Sequence, residues 1–355
     1  MAYRGYTTYA HLGTIAAMKY RFHIVALLLM LPLAGHAVDI REGDELFVDD
    51  SPLEQQVEYP PWFRLSFLNL QDELHEITAF DKRGLIVYFG QEYCPYCKAL
   101  LETNFGSRDI EHYTRSNFDV MAIDIHGQKK VTDLKGLEMT EKAFADREKV
   151  NLTPTLVFYD KDGIEALRLQ GYYPPYKFRA ALEFVADGHY RDEPFRDYLQ
   201  RADPPLAFEV GGMNQEEFFQ QPPYVLDRSK IVSKQPLLVF FEQGNCHACD
   251  VLHSAPLQNE EIRKLLGNFE IVQLDVTSNT PVITPTGERT TAKRWAESLG
   301  LFYTPTLLFF DGQGRSVMRL DSVAGFYRLR KVLTYVLAEG GTQGSLLRFR
   351  RSVGD

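Results

Sequence analysis

The stretch Phe89–Leu101, FGQEYCPYCKALL, decides the reading, because a second stretch, Phe241–His253, FEQGNCHACDVLH, repeats its layout. Together they hold Cys94, Cys97, Cys246 and Cys249, the only four cysteines in 355 residues. Two residues between cysteines put the sulfurs one helical turn apart, close enough to bond to each other. An apolar run leads into each pair, Leu85–Phe89 and Leu237–Phe241, and reads as a buried strand. If the first cysteine caps the helix that follows, its sulfur faces unpaired N–H groups and the positive dipole end. Both favour thiolate over thiol. Pro95 suits the first helical position. The second cysteine lies deeper and can attack a mixed disulfide made by the first.

The duplication extends well beyond the cysteines. FDVMAIDI (Phe118–Ile125) matches FEIVQLDV (Phe269–Val276), and LTPTLVFYDKDGIEALRL (Leu152–Leu169) matches YTPTLLFFDGQGRSVMRL (Tyr303–Leu320). Cys246 follows Cys94 by 152 residues, and Pro305 follows Pro154 by 151. One offset kept across four blocks means two copies of one domain. Each copy reads as strand, CxxC, helix and strand, then an insert with a helix (Glu141–Lys149; Ala292–Leu299). A Thr-Pro strand, an Asp-x-x-Gly turn, another strand and a closing amphipathic helix complete it. The fold class expected is α/β, two domains in tandem, each a mixed central sheet flanked by helices. The expected organisation is a signal peptide at 1–37, an N-terminal segment at 38–60 and the first domain at 61–190. A linker at 191–223, the second domain at 224–340 and a mobile tail at 341–355 follow. Thr153-Pro154 and Thr304-Pro305 should open strands. A cis bond there would turn the preceding carbonyl outward, where a peptide could pair as an extra strand.

Strand–CxxC–helix followed by Thr-Pro at a strand start resembles the thioredoxin superfamily, twice over and across nearly all of the chain after residue 37. YCPYC, DIHG, TPTLVFYDKDG and RLQGYYPP are most similar to exported thioredoxin-like proteins of the SoxW type. The resemblance implies that Cys94 and Cys246 are nucleophiles, Cys97 and Cys249 resolvers, and Pro154 and Pro305 cis prolines, with Thr153 and Thr304 beside them in substrate binding. Pro95, Tyr96, His247 and Ala248, between the cysteines, would tune the sulfurs. The chain departs from thioredoxins proper in having Tyr93 and Asn245 before the pairs. Tyr88 and Phe240 stand where thioredoxins have a buried aspartate. Glu92 or Glu242 could replace that acid, although each reads more simply as a solvated loop carboxylate. The inserts after each second strand either shape substrate access or decorate an edge.

Composition narrows the function. Lys and Arg number 39 against 48 Asp and Glu, a net charge of −9, which repels phosphate backbones and argues against nucleic acid as a partner. Met18–Ala37, MKYRFHIVALLLMLPLAGHA, has the basic start, short apolar core and small residues of a secretory signal, with Met18 the expected initiator and cleavage before Val38. The expectation is therefore a periplasmic or otherwise exported protein, soluble after cleavage, in a compartment that permits disulfides. It would exchange thiols and disulfides with protein substrates, as a reductase in the first instance, with no cofactor beyond its own redox-active disulfides and no metal. The resemblance implies an integral-membrane thiol donor of the DsbD/CcdA kind. A disulfide isomerase or oxidase is one alternative. Another is a copper-handling or client-binding module using Cys246, Cys249 and His253, which share one helix face. Tyr172, Tyr173 and Tyr176, with Pro174 and Pro175, read as a loop packed on the core. Finally, His247 can place a positive charge beside Cys246 whereas Pro95-Tyr96 places none beside Cys94. That makes Cys246–Cys249 the expected more oxidising pair.

Overall fold

The structure, a computed structural model, describes residues 47–65, 67–202, 212–339 and 346. The signal peptide, the Met18 start and the cut before Val38 lie outside the described residues. Among those described, no helix is long and apolar enough to cross a membrane.

The apolar runs flanking the cysteines become the middle of two sheets. In the first domain, β1 (Leu68–Asn69), α1 (Leu70–Ala79), β2 (Gly84–Gly90), α2 (Pro95–Ala99), α3 (Arg108–Asn117) and β3 (Phe118–Asp124) come first. They are followed by β4 (Lys130–Thr132), β5 (Glu138–Thr140), α4 (Glu141–Arg147), β6 (Thr155–Asp160), β7 (Glu165–Gln170), α5 (Pro175–Ala186) and α6 (Phe195–Ala202). The second domain has β8 (Tyr224–Val225), β9 (Leu237–Glu242), α7 (His247–Ser254), α8 (Glu260–Leu266) and β10 (Glu270–Asp275). It continues with β11 (Pro281–Ile283), β12 (Arg289–Thr291), α9 (Ala292–Ser298), β13 (Thr306–Phe310), β14 (Ser316–Leu320) and α10 (Phe326–Glu339). The sheet orders are β3-β2-β6-β7 and β10-β9-β13-β14. In both, the first pair runs parallel and the other two antiparallel. These are the two mixed sheets flanked by helices that the repeat called for.

Every residue of β2, β6, β9 and β13 is buried, because helices cover both faces of each sheet. The period of two divides the side chains. Ile86 and Tyr88 join the core on the cysteine face, with Cys97, Ala181 and Phe184. Leu85, Val87 and Phe89 join the core on the other face, with Ile77 and Phe144. Leu238 and Phe240 divide from Leu237, Val239 and Phe241 in the same way. Each such large side chain contributes roughly 1.5–3 kcal/mol by leaving water.

The inserts do not enter the main sheets. β4 and β5 form a hairpin that adds β1 as a parallel third strand, and β11 and β12 do the same with β8. Thr140 and Thr291 then cap α4 and α9. Two regions differ from the sequence reading. Residues 195–202, inside the stretch read as linker, form α6, whose Phe195, Tyr198 and Leu199 pack on the first domain's core. In the tail, Leu346 is buried in the second domain's core, and the neighbouring tail residues lie outside the described set.

Candidate active site

Each CxxC pair sits where its strand stops and a helix starts. Cys94 is the N-cap of α2 and its Sγ accepts from Cys97 N at 3.0 Å. Cys246 caps α7 and accepts from Cys249 N at 3.1 Å. Both pairs are disulfide-bonded, with Cα atoms 5.1 Å apart. Pro95 occupies the first turn of α2. Cys97 and Cys249 are 0% and 1% exposed, against 2% and 6% for Cys94 and Cys246, so the second sulfur is the deeper in each pair. Asn245, before Cys246, has φ 54°, a left-handed conformation that asparagine tolerates.

The Thr-Pro elements close on the sulfurs. The Thr153–Pro154 and Thr304–Pro305 bonds are cis, as expected. The Thr153 hydroxyl is 3.4 Å from Cys94 Sγ, and the Thr304 hydroxyl 3.4 Å from Cys246 Sγ. Around the first site Gln91 Nε2 donates to Thr153 Oγ1 at 3.1 Å, while Gln91 Oε1 lies 3.3 Å from His126 Nε2. Gln91 went unread in the sequence, although Gln243 follows the repeat at the matching place.

Tyr96 and His247 have opposite surroundings. His247 is exposed. Tyr96 is 4% exposed, and burial pushes its phenol well above the ordinary tyrosine value, with Asp50 adding to the shift and Arg328 opposing it. The Arg328 guanidinium lies over the Tyr96 ring, 3.3 Å from its centroid. The first motif was read as having no charge beside it. The second domain brings one. Ala248 holds the place of Tyr96 in the second motif and lines a cleft with Val251, Tyr303, Pro305 and Val323.

The acids were misread on one side only. Glu92 is exposed and bonded to Gln56, a solvated carboxylate as expected. Glu242 is not: it ends β9, is 1% exposed, accepts from Gln273 Nε2 at 2.6 Å and lies 3.1 Å from His253 Nε2. Nδ1 of His253 lies 3.1 Å from Glu216 Oε1. Burial works against a charge on this ring, but bonds and charges of Glu242 and then Glu216 outweigh it and raise the His253 pKa. A carboxylate oxygen lies within hydrogen-bond distance of each ring nitrogen, an arrangement that favours the protonated ring. This corrects the reading of His253 as a third ligand with Cys246 and Cys249, since its nitrogens face carboxylates. Among the described residues no group of three or more His, Cys, Asp or Glu is arranged to hold a metal ion.

The loops after β7 and β14 meet each other. Val323 N donates to Tyr172 O at 3.2 Å, and Tyr173 packs edge-on to Tyr303 with centroids 5.5 Å apart. A Cβ on Gly171, at φ +98°, would collide with Ser322. Tyr172 and Tyr173 are therefore interface as well as core, whereas Tyr176 is 48% exposed.

A family model described as thioredoxin-like domain matches residues 70–186 and again 227–337. The chain belongs to the thioredoxin-like family. The solved structures it resembles include a thioredoxin-fold protein from Helicobacter pylori, 26% identical, covering 34% of this chain and 85% of that one, with a TM-score of 0.31. A thioredoxin from Thermus thermophilus is 26% identical over 35% of this chain and 87% of its own, with a TM-score of 0.27. The NTD_N/C domain of alkylhydroperoxide reductase AhpF from Enterococcus faecalis is 12% identical, covering 74% of this chain and 97% of that one, with a TM-score of 0.24. No curated protein matches the sequence. Two thioredoxin-like domains, each with an oxidised CxxC pair at a helix start, are the equipment of a thiol-disulfide oxidoreductase.

Proposed function

We propose that this thioredoxin-like protein is an exported reductase of protein disulfides, with Cys94 and Cys246 as nucleophiles and Cys97 and Cys249 as resolving thiols. The observation that carries the reading is that each first sulfur accepts its partner's backbone N–H at a helix N-terminus with a threonine hydroxyl at 3.4 Å. In the reduced protein that setting stabilises a thiolate. The thiolate attacks one sulfur of a substrate disulfide, expelling the other as a thiolate that takes up a proton. The resolving cysteine, losing its proton, attacks the mixed disulfide, releases the second substrate thiol and closes the enzyme disulfide. Two electrons and two protons reach the substrate, and a dithiol donor must return them. Thr153, Pro154, Thr304 and Pro305 would align the substrate main chain, while Pro95, Tyr96, His247 and Ala248 set the sulfur environments. The protein's own disulfides are the only redox groups this mechanism uses. Export, the SoxW-like character and a membrane-embedded thiol donor of the DsbD/CcdA kind belong to the same proposal.

Reduction of insulin disulfides by the protein from Val38 onward is the test, with Cys94→Ser/Cys97→Ser and Cys246→Ser/Cys249→Ser chains to apportion the activity. Turnover lost only when both pairs are removed supports two working sites. Background turnover in the unaltered protein under a thiol donor would overturn the reading.

A further inference from the structure

Arg328 is the third residue of α10, in the second domain, yet its guanidinium reaches the first domain's site. Its Nη2 donates to the Thr153 carbonyl at 2.7 Å. That carbonyl belongs to the residue whose hydroxyl touches Cys94 Sγ. It is therefore the acceptor an extended peptide would use to bring its own disulfide to Cys94. The guanidinium plane meanwhile covers Tyr96, between Pro95 and Cys97. Asp50 fixes the arrangement. Its Oδ2 accepts from the Tyr96 hydroxyl at 2.9 Å and from Arg328 N at 2.8 Å, and its Oδ1 accepts from Tyr327 N at 3.2 Å. Gly325 N donates to the Tyr96 oxygen at 2.6 Å, and a Cβ on Gly325 would run into Asp50. Around them Cys94, Tyr96, Tyr303 and Val323 form one apolar cluster.

We propose that Arg328 determines which substrates the Cys94–Cys97 pair accepts. With Arg328 on Thr153 the carbonyl is taken, a contact that excludes main-chain pairing but not small thiols and disulfides that need none. A protein disulfide is accepted only when the domains part and Arg328 releases the carbonyl. The contact is suited to release. Arg328 is 9% exposed, and its charge is met by the Thr153 and Val323 carbonyls and a ring face. A buried cation loses its hydration, so opening, which restores water to Arg328 and Asp50, recovers part of what parting the apolar surfaces loses. The second site differs: Lys177, the counterpart of Arg328, lies 5.7 Å from the Tyr303 ring centroid.

This inference rests on the reading above, and the experiment separates the two. In the full chain carrying Cys246→Ser and Cys249→Ser, Arg328→Ala and, separately, Asp50→Asn are compared with the parent. The measurements are kcat and KM for insulin, kcat/KM for a small aromatic disulfide, and the rate at which a bulky maleimide alkylates the reduced pair. A competing charge-assisted hydrogen bond of about 1.5 kcal/mol corresponds to about tenfold. Arg328→Ala should therefore raise insulin kcat/KM about tenfold through KM, leave the small disulfide within about twofold, and speed alkylation similarly. Asp50→Asn should act in the same direction, and it decides the matter should Arg328→Ala not fold. Equal effects on both substrates, or none, overturn the gating. Faster alkylation with no insulin turnover in any chain sustains the gating and defeats the reductase reading, whereas unchanged insulin turnover does the reverse.

Discussion

The two domains share a sheet, a CxxC helix start and a threonine at the sulfur, but they are finished differently. The first site is covered from outside by Arg328, which arrives from the other domain and rests on Tyr96. The second is braced from beneath by Glu242 and His253, where the first domain has Gly90 and Leu101. Ahead of the central strand, α1 fills the first domain. In the second, a loop is held by buried Arg228, which donates to Gln235 O at 2.8 Å and Asp311 O at 3.1 Å and pairs with Glu270 at 2.6 Å. The setting of the two cysteine pairs was duplicated, while the surroundings of each pair diverged. Two of these differences, Arg328 and the Glu242–His253–Glu216 cluster, involve the neighbouring domain or the linker, and the third, Arg228, stays within its own domain.

The comparison breaks most sharply at the sulfurs. Cys94→Ser should abolish exchange at the first site and Cys246→Ser at the second. Trapping of a mixed disulfide by Cys97→Ser and Cys249→Ser chains, resolved by mass spectrometry, checks which sulfur attacks. A chain in which Cys97 captures substrate instead would reverse the roles assigned to the pair.

Next in size is the brace. Glu242→Ala leaves the buried His253 ring with one carboxylate fewer and should destabilise the second domain by about 3–5 kcal/mol in urea unfolding. A loss below ~1 kcal/mol would make Glu242 a bystander. The same cluster has a pH signature. His253 has its folded pKa raised, so its contribution is complete below the unfolded value near ~6.5 and is lost as pH rises through the folded value. The second domain should therefore lose melting temperature from neutral to alkaline pH more steeply than a His253→Gln chain does. Parallel curves for the two chains would remove His253 from the account.

Smaller effects sharpen the asymmetry. If the exposed His247 favours the Cys246 thiolate by one pKa unit, the Cys246–Cys249 pair is more oxidising by about 30 mV, equivalent to about 1.4 kcal/mol. Arg328 over Tyr96 works against this difference by placing a cation near the first pair. Reduction potentials measured on each pair alone should thus differ by ~30 mV or less, and His247→Ala should lower the second. Equal shifts in both pairs would mean that the residues between the cysteines do not set them apart. Tyr88, the first domain's counterpart of Phe240, has a buried hydroxyl with no hydrogen-bond partner among the described residues. Tyr88→Phe should leave stability unchanged or raise it by about 1 kcal/mol in thermal unfolding. A loss of that size would reveal a bond the hydroxyl makes.

The two copies, their element order, the cysteines at helix starts and the Thr-Pro strand openings were all legible in the chain. Those features rest on local patterns: continuous apolar runs, the CxxC spacing, turn residues and a constant offset. Gln91 was legible in the same way and needed only the repeat laid over itself. Tertiary structure alone decided the fate of Glu242, which on local grounds looked solvated. Its burial depends on His253 one helix away, Gln273 on a neighbouring strand and Glu216 in the stretch read as linker. Nor does any local pattern tie Arg328 to Thr153, 175 residues earlier, or Asp50 to the start of α10. Contacts between domains leave no periodicity in a chain. A charged residue on a helix face reads as solvent-exposed until a second surface covers it, and which surface does so is settled by how the two domains pack.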